Sequence, residues 1–273
     1  VDAVPRRASF LPFLLLPVLA AAPRAAAQPP VTGPIQLPES TEEGEEAAGE
    51  RFVSVRLALF GSVGTYSMRE FNDNIDVLTL SAREQWGAPE IKLERISDGV
   101  GGGAGLHAFF RGKVFLAAEY ERLTGTSETG GRLGSADIQV PATAYMGTLG
   151  YCIYAKKVRF GFGAGGGFYD ADGSAEFIVD EDVVEKYTMT GDTIGQHYVS
   201  FVDTPLLGKF RVTAMVGYRR ASIDDPDVVQ EVFVPDPDDP SDPPVERFLI
   251  QGEGSSLDWS GFMARLALAY TVF

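Results

Sequence analysis

Apolar stretches in this 273-residue chain come in pairs. Within each pair the joint is a few residues long and basic: Arg111-Gly112-Lys113, then Ala155-Lys156-Lys157, then the slightly longer Pro205 to Lys209. Between pairs the connections are long, polar and mostly acidic. A sheet that closes on itself within a membrane gives this rhythm, with tight turns at one rim and long loops at the other. The pattern predicts an all-β fold: an eight-stranded antiparallel up-and-down transmembrane β-barrel.

Candidate strands fall near 52–66, 97–110, 114–125, 138–154, 158–170, 195–205, 209–223 and 258–273. Most reach the roughly 9–11 tilted residues that cross a bilayer. In the first, Val53, Val55, Leu57 and Leu59 share one face, and Ser54, Arg56 and Ala58 the other. The third sets Val114, Leu116, Ala118 and Tyr120 against Ala117, Glu119 and Glu121. The seventh and last alternate in the same way, with Arg211, Arg219 and Arg265 on the less apolar face. A soluble sandwich also alternates, but its polar face looks at water and carries charge throughout. Here that face is mostly small, with a few charges, which suits a narrow lumen filled by its own side chains. The connections 67–96, 126–137, 171–194 and 224–257 are long and the three between them short, so an even strand count closes with both chain ends at one rim.

Before the strands, Arg6 and Arg7, the apolar run Phe10 to Ala22 and Ala25-Ala26-Ala27 have the layout of a signal peptide over residues 1–27. The apolar run is too short and too interrupted by Pro12 and Pro17 for a spanning helix. The paired arginines also fit a twin-arginine signal, but a barrel precursor crosses the inner membrane unfolded, which favours ordinary secretion. Residues 28–51, with Pro29, Pro30, Pro34 and Pro38 followed by six glutamates, have almost nothing to bury and read as a disordered periplasmic linker. The barrel is expected over 52–273. The net charge of −15 argues against nucleic acid as a partner, since phosphates are repelled. Cys152 is the only cysteine, so no internal disulfide forms.

Aromatic residues sit where membrane–water girdles form. Phe109, Phe110, Phe115, Tyr154, Phe160, Phe210 and Phe273 flank the short turns or the C-terminus, while Tyr66, Tyr120, Tyr145, Tyr169, Tyr218 and Trp259 lie toward the long loops. With the leader, the alternating strands and the last segment Trp259 to Phe273, the chain resembles bacterial eight-stranded outer-membrane barrels of the OmpA/OmpX/OmpW kind. The resemblance implies residence in the outer membrane among lipid and lipopolysaccharide. It also implies a C-terminal aromatic signal, Tyr270 and Phe273, for the barrel-assembly machinery. Phe273 departs from the usual pattern, lying out of phase with Leu266, Leu268, Tyr270 and Val272.

Seven inward charges, Arg56, Glu119, Glu121, Arg159, Arg211, Arg219 and Arg265, are the candidate lumen site. A desolvated charge persists only when paired, so Glu119 or Glu121 is expected to bridge arginines such as Arg56 and Arg265 and plug the barrel; an ion path lined by the same groups is the alternative. His107 and His197 are the only imidazoles. Ser200 lies three residues beyond His197, on the opposite face of a strand, so serine–histidine hydrolysis gains little support and no catalytic residue is expected. Two isolated histidines also make a poor transition-metal site.

The glycine-rich runs Gly99–Gly105 and Gly161–Gly167 lack the strand-to-helix setting and GK[ST] of a phosphate loop, and read as relief of crowding in a coiled strand. Asp170-Ala171-Asp172-Gly173 only partly matches a calcium loop. The last connection is strongly acidic, a solvated loop or a weak Ca²⁺ or Mg²⁺ site. No cofactor is implied. Ser67 with Glu70 forms a capping box, and Phe71, Ile75, Leu78 and Ala82 recur at helical spacing. This predicts a short helix in the first long loop, packed over the mouth as a lid or a gate. The reading that follows is a non-enzymatic envelope barrel for integrity or surface interaction. Its alternatives are a narrow transporter of small apolar solutes and, third, a lipid-modifying enzyme.

Overall fold

Arg111 (φ 46°) and Gly112 (φ 64°) reverse the chain after Phe110, and Lys113 N–H donates to the Phe110 carbonyl at 3.0 Å. Positive φ at both central residues is the turn whose twist matches two right-twisted strands, and it locks the register of the hairpin it joins. In the computed structural model the described residues are 52–85, 89, 91–131, 134–155, 157–179, 182–233, 245–251 and 256–273. The leader and linker expected over 1–51 lie outside them.

In chain order the elements are β1 (Val53–Thr65), α1 (Arg69–Gln85), β2 (Asp98–Phe110), β3 (Val114–Thr124), β4 (Thr126–Gly130), β5 (Gly134–Gln139), β6 (Ala142–Ala155) and β7 (Val158–Val179). There follow β8 (Asp182–Leu207), β9 (Phe210–Arg220), β10 (Ser222–Asp224), β11 (Asp227–Phe233), β12 (Val245–Gln251), β13 (Ser256–Asp258) and β14 (Gly261–Thr271). Eight of them close an antiparallel ring: β1–β2–β3–β6–β7–β8–β9–β14, and back to β1 through a ladder running from Arg56↔Thr271 to Gly64↔Met263. Val272 N–H donates to the Val55 carbonyl at 2.9 Å and Val55 N–H to that of Phe273 at 3.0 Å, extending the seam to the last residue. Closure gives every ring strand two hydrogen-bonded neighbours, so the ring has no unpaired edge.

The period-two reading fixes which side of each strand faces in. Leu57, Leu59, Leu106, Leu116, Leu149, Val216, Leu266 and Leu268 point outward and are exposed, while Arg56, Ala58, Glu119, Glu121, Arg219 and Arg265 are buried inside. Glycines make room for the largest inward groups. A Cβ at Gly161 would run into the Phe201 ring, and one at Gly105 would press on Glu119 Cγ. Both glycine-rich runs are strand, in β2 and β7.

Three sequence expectations are corrected here, two above the ring and one concerning its aromatic residues. The connection expected as a loop over 171–194 is instead a continuation of β7 and β8, whose 22 and 26 residues pair as far as Val179↔Asp182. A crossing takes only about 9–11 residues, so the remainder forms a β-ribbon beyond the membrane, and Asp170 and Asp172 of the partial calcium motif are ladder residues in it. Second, 126–137 contains most of the β4–β5 hairpin, which joins the ribbon through β5–β7. Third, the aromatic girdle is only partly populated: Phe160, Phe210, Tyr120, Tyr145 and Tyr218 are outward, whereas Phe109, Phe115, Tyr66, Tyr169 and Trp259 are buried. Bulky aromatics fill a narrow closed interior as readily as they line an interface.

The expected helix is present, one residue out of the predicted cap: Asn72 N–H donates to the Met68 carbonyl at 2.9 Å, which makes Met68 rather than Ser67 the N-cap. Phe71 and Ile75 face an apolar cluster over the barrel mouth with Met68, Ile91, Leu93, Ile96, Phe177, Leu257 and Trp259. The Asn72 amide clamps Ile96, Nδ2 donating to its carbonyl at 2.9 Å and Oδ1 accepting its N–H at 2.8 Å. Ile75 is fully buried, so Ile75→Ala is expected to loosen the lid by about 2–4 kcal/mol. Limited proteolysis between residues 67 and 97 should then accelerate at least tenfold while the folded-barrel band on a gel persists. Unchanged cleavage would show that this core does not hold the lid.

Candidate functional site

Inside the ring, alternation puts long polar side chains opposite small ones. The lateral row Ala269–Ala58–Gly105–Glu119, read across β14, β1, β2 and β3, offers only one long side chain, and the arm of Arg265 crosses the space this leaves. Arg265 Nη1 donates to Glu119 Oε2 at 2.8 Å and Nη2 to Glu121 Oε2 at 2.6 Å. One guanidinium thus binds two carboxylates two residues apart on the same face of β3. His107 Nε2 lies 2.9 Å from the other Glu119 oxygen, Oε1. Arg219 Nη1 reaches Glu121 Oε2 at 3.4 Å, and its Nε donates to the Trp259 carbonyl at 3.2 Å. All four charged groups are buried, where charge-assisted hydrogen bonds are strongest and unpaired charge costs most.

Arg56 does not join this cluster. The expectation that Glu119 or Glu121 would bridge it is corrected by a second centre nearer the short turns, built on Asp203 of β8. Arg56 Nη1 donates to Asp203 Oδ2 at 2.9 Å, and Arg211 Nε to Oδ2 at 2.9 Å and Oδ1 at 3.1 Å. Thr213 Oγ1 donates to Oδ1 at 3.2 Å, and Arg159 Nη1 lies 3.9 Å from Oδ2. Three guanidinium groups around one carboxylate leave an excess of positive charge. The Phe109 ring relieves part of it, lying 4.3 Å from the Arg56 guanidinium and 4.0 Å from that of Arg159. Phe115 and Phe201 pack edge to face beside it at 4.8 Å. The interior is therefore layered: an arginine–aspartate–phenylalanine layer near the short turns, the Arg265 bridge above it, and the apolar lid over the mouth.

Asp203 was the residue that sequence reasoning missed. It sits between Val202 and Thr204 just before Pro205 and looks like turn composition. Its signal was parity: Val199, Phe201 and Asp203 share one face of β8, and all three are buried. The ladder breaks register only beyond it, between Pro205 and Leu207.

His197 is buried with Nε2 2.6 Å from Thr148 Oγ1, and Ser200 is exposed on the outer face. At the lid, burial pushes the Tyr66 phenol up to about 12, which keeps it neutral. Among the described residues no group of three or more His, Cys, Asp or Glu side chains gathers as a metal site. Of the acidic last connection, 234–244 and 252–255 lie outside the described residues, and the stretches Asp227–Phe233 and Val245–Gln251, expected as loop, are instead the paired strands β11 and β12. Tyr270 and Phe273 are 39% and 55% exposed; Tyr270 shares the outward face of Leu266 and Leu268, whereas Phe273 follows on the opposite parity.

Removing the shared anion tests the lower layer. Asp203→Ala is expected to cost about 3–5 kcal/mol, since the buried Arg56 and Arg159 and the part-buried Arg211 lose a shared counter-charge, and urea denaturation in detergent should show the lowered midpoint. Arg56→Met, which removes one of the crowded cations, should cost clearly less. Equal losses in the two variants would rule out charge balance as the cause.

No family model matches the chain, and no curated protein matches it by sequence. Among solved structures it is similar to a major outer membrane protein from Thermus thermophilus (11% identity, TM-score 0.48, covering 80% of this chain and 98% of that one). It is also similar to the outer membrane protein OprG from Pseudomonas aeruginosa (13%, TM-score 0.36, 80% and 95%) and to Ail, the attachment invasion locus protein of Yersinia pestis (10%, TM-score 0.35, 80% and 97%). With its closed ladder, its apolar outer belt and its charged interior, the chain is an eight-stranded antiparallel up-and-down barrel with the architecture of an outer-membrane β-barrel.

Proposed function

We propose that this chain is a non-enzymatic outer-membrane barrel whose interior is sealed, and that it serves envelope integrity or surface interaction rather than conduction. The observation that carries this reading is the Arg265 arm spanning from β14 to both Glu119 and Glu121 on β3, with Glu121 and Trp259 at 0% exposure. A salt bridge that fills the lumen from wall to wall leaves no wetted path at that height, and the α1 lid covers the mouth above it. The short basic turns face the periplasm, and the ribbon of β7 and β8 stands on the cell surface.

The belt of outward leucines and aromatics meets outer-membrane lipid and lipopolysaccharide. Tyr270 and Phe273 present the terminal aromatic signal to the barrel-assembly machinery. The seven charges read from the sequence, together with Asp203, act structurally by holding the walls of a narrow barrel together. Divalent cations bound weakly by the acidic connections would bridge them to anionic lipopolysaccharide. Transport of an apolar solute through the mouth would first require α1 to break the Asn72 clamp on Ile96.

Two measurements test the reading. Membrane fractionation should place the chain in the outer membrane, with a band that shifts on heating. In planar bilayers the wild-type chain should be electrically silent, whereas Glu119→Ala combined with Glu121→Ala should give steps of small conductance. Regular conductance from the wild-type chain would overturn the sealed-interior reading and leave the membrane assignment standing.

A further inference from the structure

The outer wall carries a wide concavity where a barrel is ordinarily convex. Across β9, β14, β1, β2, β3 and β6 a groove of about 850 Å³ is lined chiefly by the outward residues Leu57, Leu59, Leu106, Tyr120, Phe210 and Tyr270, within the roughly 300–1,000 Å³ of small-ligand sites. The ladder gives its cross-section. On one flank Phe210 and Tyr270 pair with ring centroids 5.2 Å apart, and on the other Tyr120 and Tyr145 pair at 5.5 Å. Between them run Leu57 and Leu59 of β1 and Leu106 of β2, with Ala104 and Ala118 lowering the floor.

The groove has a charged end. Lys209, exposed in the β8–β9 turn, places Nζ 5.7 Å from the centroid of Tyr270. Arg111, Lys113 and Lys157 are exposed in the other two short turns. The one acid among the described residues near this rim, Asp203, is buried under its arginines. An aliphatic trough walled by aromatics and ending at a cation is complementary to a molecule with a hydrocarbon chain and an anionic head.

We propose that this groove is a binding site for an anionic glycerophospholipid of the leaflet at the short-turn rim, with an acyl chain along Leu59, Ala104 and Leu106 and the phosphate on Lys209. The inference rests on the membrane-barrel reading above. Its chemistry differs from bulk lipid contact in two respects. The small residues admit a chain below the general surface, where dispersion contacts surround it, and the rim adds a headgroup preference of the size expected for a lysine at an anionic surface.

The test uses the full chain reconstituted in nanodiscs of equal phosphatidylglycerol and phosphatidylcholine, extracted into mild detergent, with retained lipid counted by native mass spectrometry. The wild-type chain should hold one phospholipid, enriched in phosphatidylglycerol about fivefold over phosphatidylcholine. Lys209→Gln should abolish the enrichment but keep a lipid bound. Ala104→Phe, which fills the trough from outside the ring, should release both. Retention without headgroup preference, or a preference indifferent to Lys209→Gln, would overturn the site, as would a wild-type barrel that emerges bare. A heat-shift gel on each sample separates these outcomes from failure of the barrel itself: a chain that shows no shift and needs no detergent refutes the membrane reading instead.

Discussion

Ring closure is the constraint from which the rest of this structure descends. A strand in hydrocarbon has no water to satisfy its N–H and C=O groups, so each must find a neighbour on both sides. Eight strands meet that demand with β14 returning to β1, and Val272 and Phe273 carry the seam to the end of the chain. The same closure defines an interior of fixed and small cross-section, which must be filled by side chains alone. Every inward residue is therefore a packing decision, and every inward charge needs a partner within reach of the lumen.

The protein meets this second demand by segregation along the barrel axis. Asp203 gathers Arg56, Arg159 and Arg211 at one level, and Arg265 ties Glu119 to Glu121 at the next, with Arg219 linking that bridge to the Trp259 backbone. Buried ion pairs do not by themselves guarantee stability, because desolvation offsets their attraction. The effect we propose for them is specificity: a guanidinium aimed across the lumen favours the register in which carboxylates stand opposite. The two levels differ in composition. The lower one is cation-rich and leans on the Phe109 face, whereas the upper one matches carboxylates to guanidiniums and passes into apolar packing beneath α1.

Above the ring the sheet continues as a ribbon of β7 and β8 joined by β5 and β11. That ribbon, the β4–β5 hairpin and the helical lid bury a second apolar core outside the membrane, with Ile138, Val140, Phe177 and Met189 inside it. A barrel whose mouth is roofed this way combines two kinds of stabilisation: backbone closure in lipid, and ordinary hydrophobic burial in water.

The eight strands, their facing and their order were legible in the residues, because a period of two and an alternation of short and long connections are local properties of a chain. Leu57 and Leu59 had to face one way and Arg56 the other, whatever the partner strands. The helix was legible for the same reason, through Phe71 and Ile75. Partnership was legible only in part. Arg265 does meet Glu119 and Glu121 as expected, but that Arg56 meets Asp203, 147 residues away, rather than either glutamate depends on where strands distant in sequence stand around the ring. The same holds for Tyr66, Phe109, Phe115, Tyr169 and Trp259, whose apolar rings suit a membrane boundary and a packed lumen equally. The period of two and the alternation of short and long connections determined that this chain would close a barrel. Only the shear and register of the closed ring, which set the height and bearing of each inward side chain, decided what fills it.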